Sequence, residues 1–557
     1  MAGRTALTSR TSRTPTRNGT TAMTPPDDSF DFVIAGGGTA GCVLAARLSE
    51  NPANRVLLLE AGRDDRNPLI HVPAGFAKLT SSSYQWGYTT VPQRHCDNRS
   101  VQFAQGKVVG GGGSINAQVY TRGAAEDYDE WAAAYGCEGW SSKDVQPYFL
   151  RSEGNTRLSA PHHGTEGPLG VSDPASSHPL SQAFVRAGQE FGLPYNADFN
   201  GADQYGIGFY QTTTKNGRRC SAAVGYLRPA RKRANLVVRS QVLVTRVLLD
   251  GRRATGIECV DGGRLRRYRA GREVVVTAGA FGSPKLLQLS GIGDPEDLGR
   301  AGVEVRHALP GVGKNLQDHC DLDIIYQLHR YQSMDRLQRP VPAAVSAGIQ
   351  YLAFRTGPLA STVVEAGGFG RSDPGEPTAD LQFHFLPAAG VEAGVAGVRP
   401  GYGATLNVVF LRPYSRGTVR IASADPARAP LIDPNYLADE RDVARTVDGV
   451  RQSREIMAQP SMAREVKSEH LAGQATLRTT DDYLRFVRAH GRTAYHPVGT
   501  CAMGVNDQAV VSPELRVYGL DGLRVADSSV MPRIVSSNTQ APTVMIAEKA
   551  ADLILAG

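Results

Sequence analysis

The sequence predicts an α/β fold built around a parallel sheet, with a further lobe inserted between the parts that build that sheet. Three observations predict it. Residues 31–62 run strand, glycine-rich turn, small-residue helix, strand. Residues 273–293 repeat a short apolar strand followed by a small-residue turn and a helix, and residues 522–555 end the chain with a strand, a turn and an Ala-rich helix. Strands that alternate with helices belong to βαβ units, whose strands run parallel.

The first element reads DFVIAGGGTAGCVLAARLSENPANRVLLLEAG. The strand at 32–35 runs into Gly36, which lets the chain turn sharply. Gly38 removes a side chain, so that a pyrophosphate can approach the backbone, and Gly41 lets the helix sit close on the sheet. Thr39 and Ala40 begin the helix, whose free N–H groups and positive dipole end face the phosphates. Glu60 closes the second strand, just before Ala61. There a carboxylate accepts hydrogen bonds from ribose hydroxyls. A glycine-rich turn in an ordinary α/β protein does not explain that acid. The unit predicts a bound redox dinucleotide.

The second element, residues 106–129, reads GKVVGGGGSINAQVYTRGAAEDYD. Four successive glycines suit neither a helix nor a packed strand. Val108, Val109 and Ile115 flank them, whereas a flexible linker is polar, so Val109, Gly110, Asn116 and Ala117 are expected to lie against a large planar ligand. The third element, at 273–293, offers close backbone approach at Ala278 and Gly279, with Ser283-Pro284 expected to start a helix. Residues 310–319 (PGVGKNLQDH) form a turn cluster ending in His319, which is expected to be a hydrogen-bonded structural histidine. In YHPVGT, Pro497 biases His496 towards a loop. GLRVAD (522–527) is a strand ending in Asp527, and the last helix is expected at 542–555, on the nucleotide sheet.

Composition excludes several classes. Apolar content is 41% and charged content 21%, ordinary for a globular protein. No stretch approaches the roughly 20 apolar residues of a membrane-spanning helix. The net charge is +7, but Arg4, Arg10, Arg13 and Arg17 carry four of those charges in a segment without acids. The remainder is near balance, so no nucleic-acid partner is expected. Residues 1–28 are expected to be a disordered extension. Their Arg-, Ser- and Thr-rich composition also fits a transit peptide, but Met23 favours a start-site extension. The seven cysteines are scattered and form no CxxC, and the histidines lack ligand spacing. Reduced thiols, a cytoplasmic location and no metal are expected.

Taken together, residues 30–555 resemble the glucose–methanol–choline (GMC) family of FAD-dependent oxidoreductases. Lys107, the glycine run and Asn116 match its first signature. Ser283, Pro284, Ser290, Gly291 and Gly293 match its second. Gly112 and Gly113 depart from it, standing where many members carry serines. The resemblance implies a Rossmann-like FAD-binding domain (29–160, 235–325 and 495–557) and a substrate-binding domain on an antiparallel sheet (161–234 and 326–494). It also implies site roles. His496 is the catalytic base, flavin N5 accepts the hydride, and Asn538 holds the substrate oxygen. Asp527, Asn538 and Thr539 contact FAD, and Val244 or its neighbour Leu243 contacts adenine through the backbone. Phe103-Ala104-Gln105 occupies the region where some members link FAD through a histidine, so noncovalent FAD is expected.

Residues 67–71, 198–201 and 365–369 are similar to the bacterial branch of alkanol, polyethylene-glycol and choline dehydrogenases. A neutral primary alcohol is the expected substrate. Choline is the alternative, with Glu365 balancing the quaternary ammonium. An FAD-dependent lyase or decarboxylase is the alternative of another class. The expected electron acceptor is a quinone or oxygen, and no signal for an oligomeric state is present. Residues 341–354 (VPAAVSAGIQYLAF) are expected to form a buried helix. The competing reading is a lid in peripheral contact with the cytoplasmic face of a membrane.

Overall fold

The computed structural model describes residues 28–338, 341–390, 397–470 and 477–557. The extension expected at 1–28 lies, apart from Asp28, outside the described residues. β1 (Ser29–Ala35), α1 (Thr39–Leu48) and β2 (Val56–Glu60) come first. α2 (Pro179–Phe191) and β3 (Gly206–Phe209) follow. Next are β4 (Leu236–Ser240), β5 (Val242–Asp250), β6 (Arg253–Asp261), β7 (Arg264–Val276) and α3 (Gly279–Leu289). After them come β8 (Cys320–Leu328), α4 (Pro342–Phe354), β9 (Ala366–Gly370), β10 (Leu381–Leu386) and β11 (Gly403–Phe410). α5 (Glu440–Met457), β12 (Val466–His470), β13 (Arg492–Thr493), β14 (Leu523–Val525) and α6 (Gln540–Ala556) complete the main elements.

The first sheet has the order β4-β2-β1-β7-β6-β5, with β14 paired on β7. β4, β2, β1, β7 and β14 run parallel, whereas β5, β6 and β7 form an antiparallel ribbon. A parallel strand covered on both faces reads as an unbroken apolar run. Phe32, Val33, Ile34, Leu57, Leu58, Val274 and Val275 are accordingly fully buried. β7 begins ten residues before the strand that the apolar run at 274–276 marks, because its first half lies in the exposed ribbon and carries Arg264, Arg266 and Arg267.

The last helix packs beside the first. Gln540 Nε2 lies 3.0 Å from Thr39 Oγ1, at the starts of α6 and α1. Further along, fully buried Glu548 accepts from Arg47 Nε and Nη2 at 2.9 and 2.8 Å and from Tyr226 Oη at 2.5 Å. Two N–H groups of one charged guanidinium and a phenol make the burial of that carboxylate tolerable.

α3 starts four residues before the expected Ser283. Ser283 Oγ accepts from Ala278 N at 3.0 Å and donates to Asp527 Oδ2 at 2.5 Å. Pro284 therefore lies inside the helix, where it cannot donate to Ala280 O. Thr500 Oγ1 fills that vacancy at 2.6 Å, so the helix continues.

The second sheet is antiparallel, in the order β12-β8-β11-β10-β9-β3, with β13 paired on β8. The strand period of two divides its faces. Leu322, Ile324, Phe383, Phe385, Leu406 and Val408 share a core with Phe184 of α2 and with Val443, Val447 and Val450 of α5. Asp321, Asp323, Gln382, His384, Thr405 and Asn407 alternate with them and face the other way. β8 begins at Cys320, inside the stretch expected to belong to the first lobe.

α4 corrects an expectation. It forms a helix, but it is not buried: Val345, Ile349, Leu352 and Phe354 are 62, 63, 72 and 73% exposed. Only Ala347 and Tyr351 lie inward, with Tyr351 Oη donating to Gly217 O at 3.1 Å. The helix is apolar nearly all round, and only one narrow stripe meets the body of the protein. Among the described residues, no helix is long and apolar enough to cross a membrane.

Candidate active site

One cavity of about 510 Å³ is lined from both sheets. Its lining includes Gly36, Gly38, Thr39, Ala40, Glu60 and Ala61, joined by Leu243, Val244, Ala278, Gly279 and Asp527. Asn116, Ala117, Thr539, His496 and Asn538 also line it. The cavity thus brings together sequence islands more than five hundred residues apart.

The glycines form a cradle of bare backbone. A Cβ on Gly41 would lie 1.9 Å from Gly36 O, and one on Gly36 2.5 Å from Thr277 O. A Cβ on Gly111 would meet Gly38 Cα at 2.9 Å, so the two glycine-rich segments touch where no side chain fits. Gly41 serves helix packing and does not line the cavity. Val109 and Gly110 do not line it either, contrary to expectation. Val109 is a core residue, and Gly110 N donates to Gly37 O at 2.8 Å, tying one glycine segment to the other. Glu60 accepts from Gly37 N at 2.8 Å and from Gly62 N at 2.7 Å. Burial pushes its carboxyl up to about 7, against the opposing pull of these donors and of Lys107. Asp527 accepts from Gly279 N and Ser529 N, both at 2.8 Å. Backbone with no side chains, an acid at the end of β2 and a second strand at Leu243–Val244 fit the ADP end of FAD.

Arg219, which carries no motif signal, braces this region. It is 1% exposed. Its guanidinium donates to Ile70 O at 2.7 Å, Gly113 O at 3.1 Å, Asn116 Oδ1 at 2.7 Å and Asn116 O at 2.8 Å. Burial lowers its pKa to about 9. Only the folded chain reveals what this arginine holds.

His496 is 8% exposed and Tyr495, just before it, has φ +65°. An aromatic residue rarely adopts that backbone, and Thr493 Oγ1 secures it by accepting from Tyr495 N at 2.7 Å. His496 N donates to Asp318 Oδ1 at 2.8 Å. On its ring, Nε2 lies 3.0 Å from Asn538 Nδ2, and Nδ1 lies 3.0 Å from His319 Nδ1. Asn538 Oδ1 accepts from Thr121 Oγ1 and Gln382 Nε2, each at 3.0 Å. Burial holds His496 well below the usual imidazole value, and His319 and His384 reinforce this. Burial also lowers His319 to about 3 and His384 to about 4 and pushes the Asp318 carboxyl up to about 7. His319 was expected as a structural histidine, and it is fully buried in direct contact with His496. His384 was not expected at all. It lies mid-strand in LQFHFL, where its only signal is an alternation that puts it on the same face as Gln382 and Leu386.

Glu365 is elsewhere. Its carboxylate accepts from His178 N at 2.6 Å, from Ser181 Oγ at 3.0 Å and from Ser361 Oγ. These donors hold it at the start of α2, and it does not line the cavity. The expected contact with a quaternary ammonium is therefore withdrawn. Among the described residues, no group of three or more His, Cys, Asp or Glu is arranged to hold a metal ion.

Family models described as GMC oxidoreductase match residues 30–321 and 413–547. The chain is 43% identical to an alcohol dehydrogenase (acceptor) of Pseudomonas putida, over 94% of this chain and 96% of that protein. It is also 43% identical to human mitochondrial choline dehydrogenase, over 95% of this chain and 90% of that protein. Among solved structures, pyridoxine 4-oxidase from Mesorbium loti superposes with a TM-score of 0.85 at 32% identity, covering 94% of this chain and 98% of that one.

Proposed function

The chain belongs to the GMC oxidoreductase family, and on that premise we propose that it oxidises a primary alcohol to the aldehyde, with FAD as cofactor and His496 as base. The observation that carries this reading is the 3.0 Å contact of His496 Nε2 with Asn538 Nδ2, in the cavity that also contains the glycine cradle. The names of the similar proteins, alcohol dehydrogenase and choline dehydrogenase, support it. Residues 29–160, 235–325 and 495–557 are proposed to hold FAD, and 161–234 and 326–494 the substrate. FAD, when bound, supplies the two-electron acceptor. A substrate hydroxyl between His496 and Asn538 replaces their mutual contact: it donates to Nε2 and accepts from Nδ2. Removal of the hydroxyl proton by His496 leaves charge on oxygen, and the Asn538 hydrogen bond strengthens as that charge grows.

Binding of FAD is proposed to be noncovalent, since Ala104 and Gln105 line the cavity and offer no nucleophilic side chain to bond to the flavin. Two measurements test the reading. Denatured protein is expected to release its flavin into solution. Anaerobic addition of a primary alcohol is expected to remove the yellow absorbance of the holoenzyme. If no alcohol does so, the oxidation reading fails and the non-redox class takes its place.

The rate is expected to persist on the acid side. His496 must be unprotonated to act, so activity falls as pH falls through its pKa. That pKa lies well below 6.5, because the ring is buried against His319 and His384. Asp318, at its backbone N–H, titrates nearer neutrality, and Asp318→Asn separates that wave from the wave of His496. An acid limb at or above the ordinary imidazole value that survives in Asp318→Asn contradicts the assignment.

A quaternary-ammonium alcohol is the second reading. Asp321 and Asp323, each 3.0 Å from Arg492, line the cavity with two carboxylates that a quaternary ammonium could meet. Comparing choline with benzyl alcohol and medium-chain alkanols, with oxygen or a dye as acceptor, ranks the two readings.

Contact of α4 with the cytoplasmic face of a membrane, with quinone as electron acceptor, is also proposed. The exposed apolar residues of α4 adjoin Arg355, whose guanidinium lies over Tyr351, and the hairpin turn that carries Lys215 and Arg218. Such a surface buries apolar side chains in the interface and attracts anionic headgroups. Wild type is expected to co-sediment with vesicles containing phosphatidylglycerol, and Ile349→Glu/Leu352→Glu is expected to stay in the supernatant. Wild type that stays behind in both cases has no such contact.

A further inference from the structure

We propose that His319 is a positioning residue that fixes the tautomer of His496 and so keeps Nε2 of His496 unprotonated toward the cavity. This rests on the reading of His496 as the base. The hydrogen-bond chain has a fixed beginning. His319 Nε2 lies 3.0 Å from Leu411 O. A carbonyl oxygen only accepts, so Nε2 of His319 carries the hydrogen. A neutral imidazole has one N–H, and Nδ1 of His319 is therefore a bare acceptor. Nδ1 of His496 lies 3.0 Å from it. Two lone pairs do not share such a contact, so His496 carries its hydrogen on Nδ1, and its Nε2 is the acceptor.

The far end of the chain agrees independently. Oδ1 of Asn538 accepts from Thr121 Oγ1 and Gln382 Nε2. The remaining amide atom, Nδ2, is a donor, and it faces His496 Nε2 at 3.0 Å. Every contact from Leu411 to Asn538 then pairs one donor with one acceptor. The reverse polarity needs an imidazolium at His319, which is fully buried among the described residues. It also sets an N–H of His496 against the N–H of Asn538. Burial disfavours that charge strongly. Free histidine prefers its hydrogen on Nε2, so the fold reverses the intrinsic preference of this ring.

The groups facing His496 are His319 beside β8, His384 on β10, Asn538 before α6, and Asp318 at its backbone N–H. Among the described residues, His319 is the one whose contact with Nδ1 is a hydrogen bond. A base whose lone pair sits on the wrong nitrogen cannot take the hydroxyl proton, and tautomer control by a neighbouring group governs rate strongly in enzymes that use histidine bases.

The experiment uses holoenzyme, as wild type, His319→Leu and His319→Gln. A glutamine amide offers an N–H to Leu411 and an oxygen to His496, which restores the chain. His319→Leu is expected to lower kcat for benzyl alcohol by about 10²-fold with KM within about threefold, and His319→Gln to recover most of the loss. Nitrogen-15 spectra of histidine-labelled protein read the tautomer directly, with the His496 signals identified by their loss in His496→Ala. Wild type is expected to show protonated Nδ1 and bare Nε2, and His319→Leu to lose that signature. A protonated Nε2 in wild type overturns the proposal, as does an unchanged His496 signature in His319→Leu. If wild type oxidises no alcohol, the functional reading fails, while the nitrogen spectrum still decides the role of His319. If His319→Leu does not retain flavin, the wild-type spectrum and the His319→Gln variant decide it.

Discussion

His496→Ala is expected to lower kcat for a primary alcohol by about 10²–10⁴-fold, the range lost when a positioned general base is removed. The flavin content is expected to stay at the wild-type level, because His496 is not among the nearest neighbours of Gly36, Gly38 and Gly111. Several structural features converge on this one ring. Burial keeps it neutral, Asp318 anchors its backbone, and Tyr495 holds the chain before it at φ +65°. Asn538 stands 3.0 Å from the nitrogen that faces the cavity. The measurement is steady-state turnover with a dye acceptor at saturating alcohol. Turnover within about tenfold of wild type means that His496 is not the base.

Arg219→Met is expected to weaken FAD binding by about 2–3 kcal/mol, roughly a 30- to 150-fold rise in dissociation constant. Methionine fills most of the volume but donates nothing. Ile70 O, Gly113 O and both oxygens of Asn116 then lose a charged donor. Release of a buried charge offsets part of this cost, since burial already disfavours the guanidinium. It does not restore the geometry, because four acceptors at different angles are held by one planar fork. Arg219→Lys is expected to fare little better, as an ammonium on a flexible stem cannot reach them together. FAD titration of the apoprotein measures the effect. A dissociation constant within about threefold of wild type removes Arg219 from any role in shaping the cradle.

Part of this protein was legible residue by residue. The apolar strands at 32–35, 56–59 and 274–276 announce themselves because parallel strands are covered on both faces and tolerate little else. Gly36, Gly38 and Gly41 are legible because a missing Cβ has few alternative explanations in that order. His496 was legible through the proline after it and the motifs around it. Less was legible where the cause is tertiary. The exposed half of β7 has no apolar pattern to reveal it. Pro284 reads as a helix start, and only Thr500, far along the chain, lets it lie within α3. Glu365 reads as a charge available to a ligand, yet the start of α2 claims it. The apolar run at α4 reads as core, since sequence records hydrophobicity but not what covers it.

The sequence by itself determined that a long dinucleotide is bound, which family pattern the chain follows, and which loop histidine and asparagine belong together. The first rests on backbone freedom and apolar patterning, which are local, and the other two on a resemblance in the order of motifs along the chain. The tertiary structure alone decided the partners of those groups. It set His319 against His496, Thr121 and Gln382 against Asn538, and Arg219 beneath the glycine-rich segment. Such contacts join residues hundreds of positions apart. Hydrogen-bond polarity and burial, which decide what a histidine can do, are properties of that assembly and of no single stretch of chain.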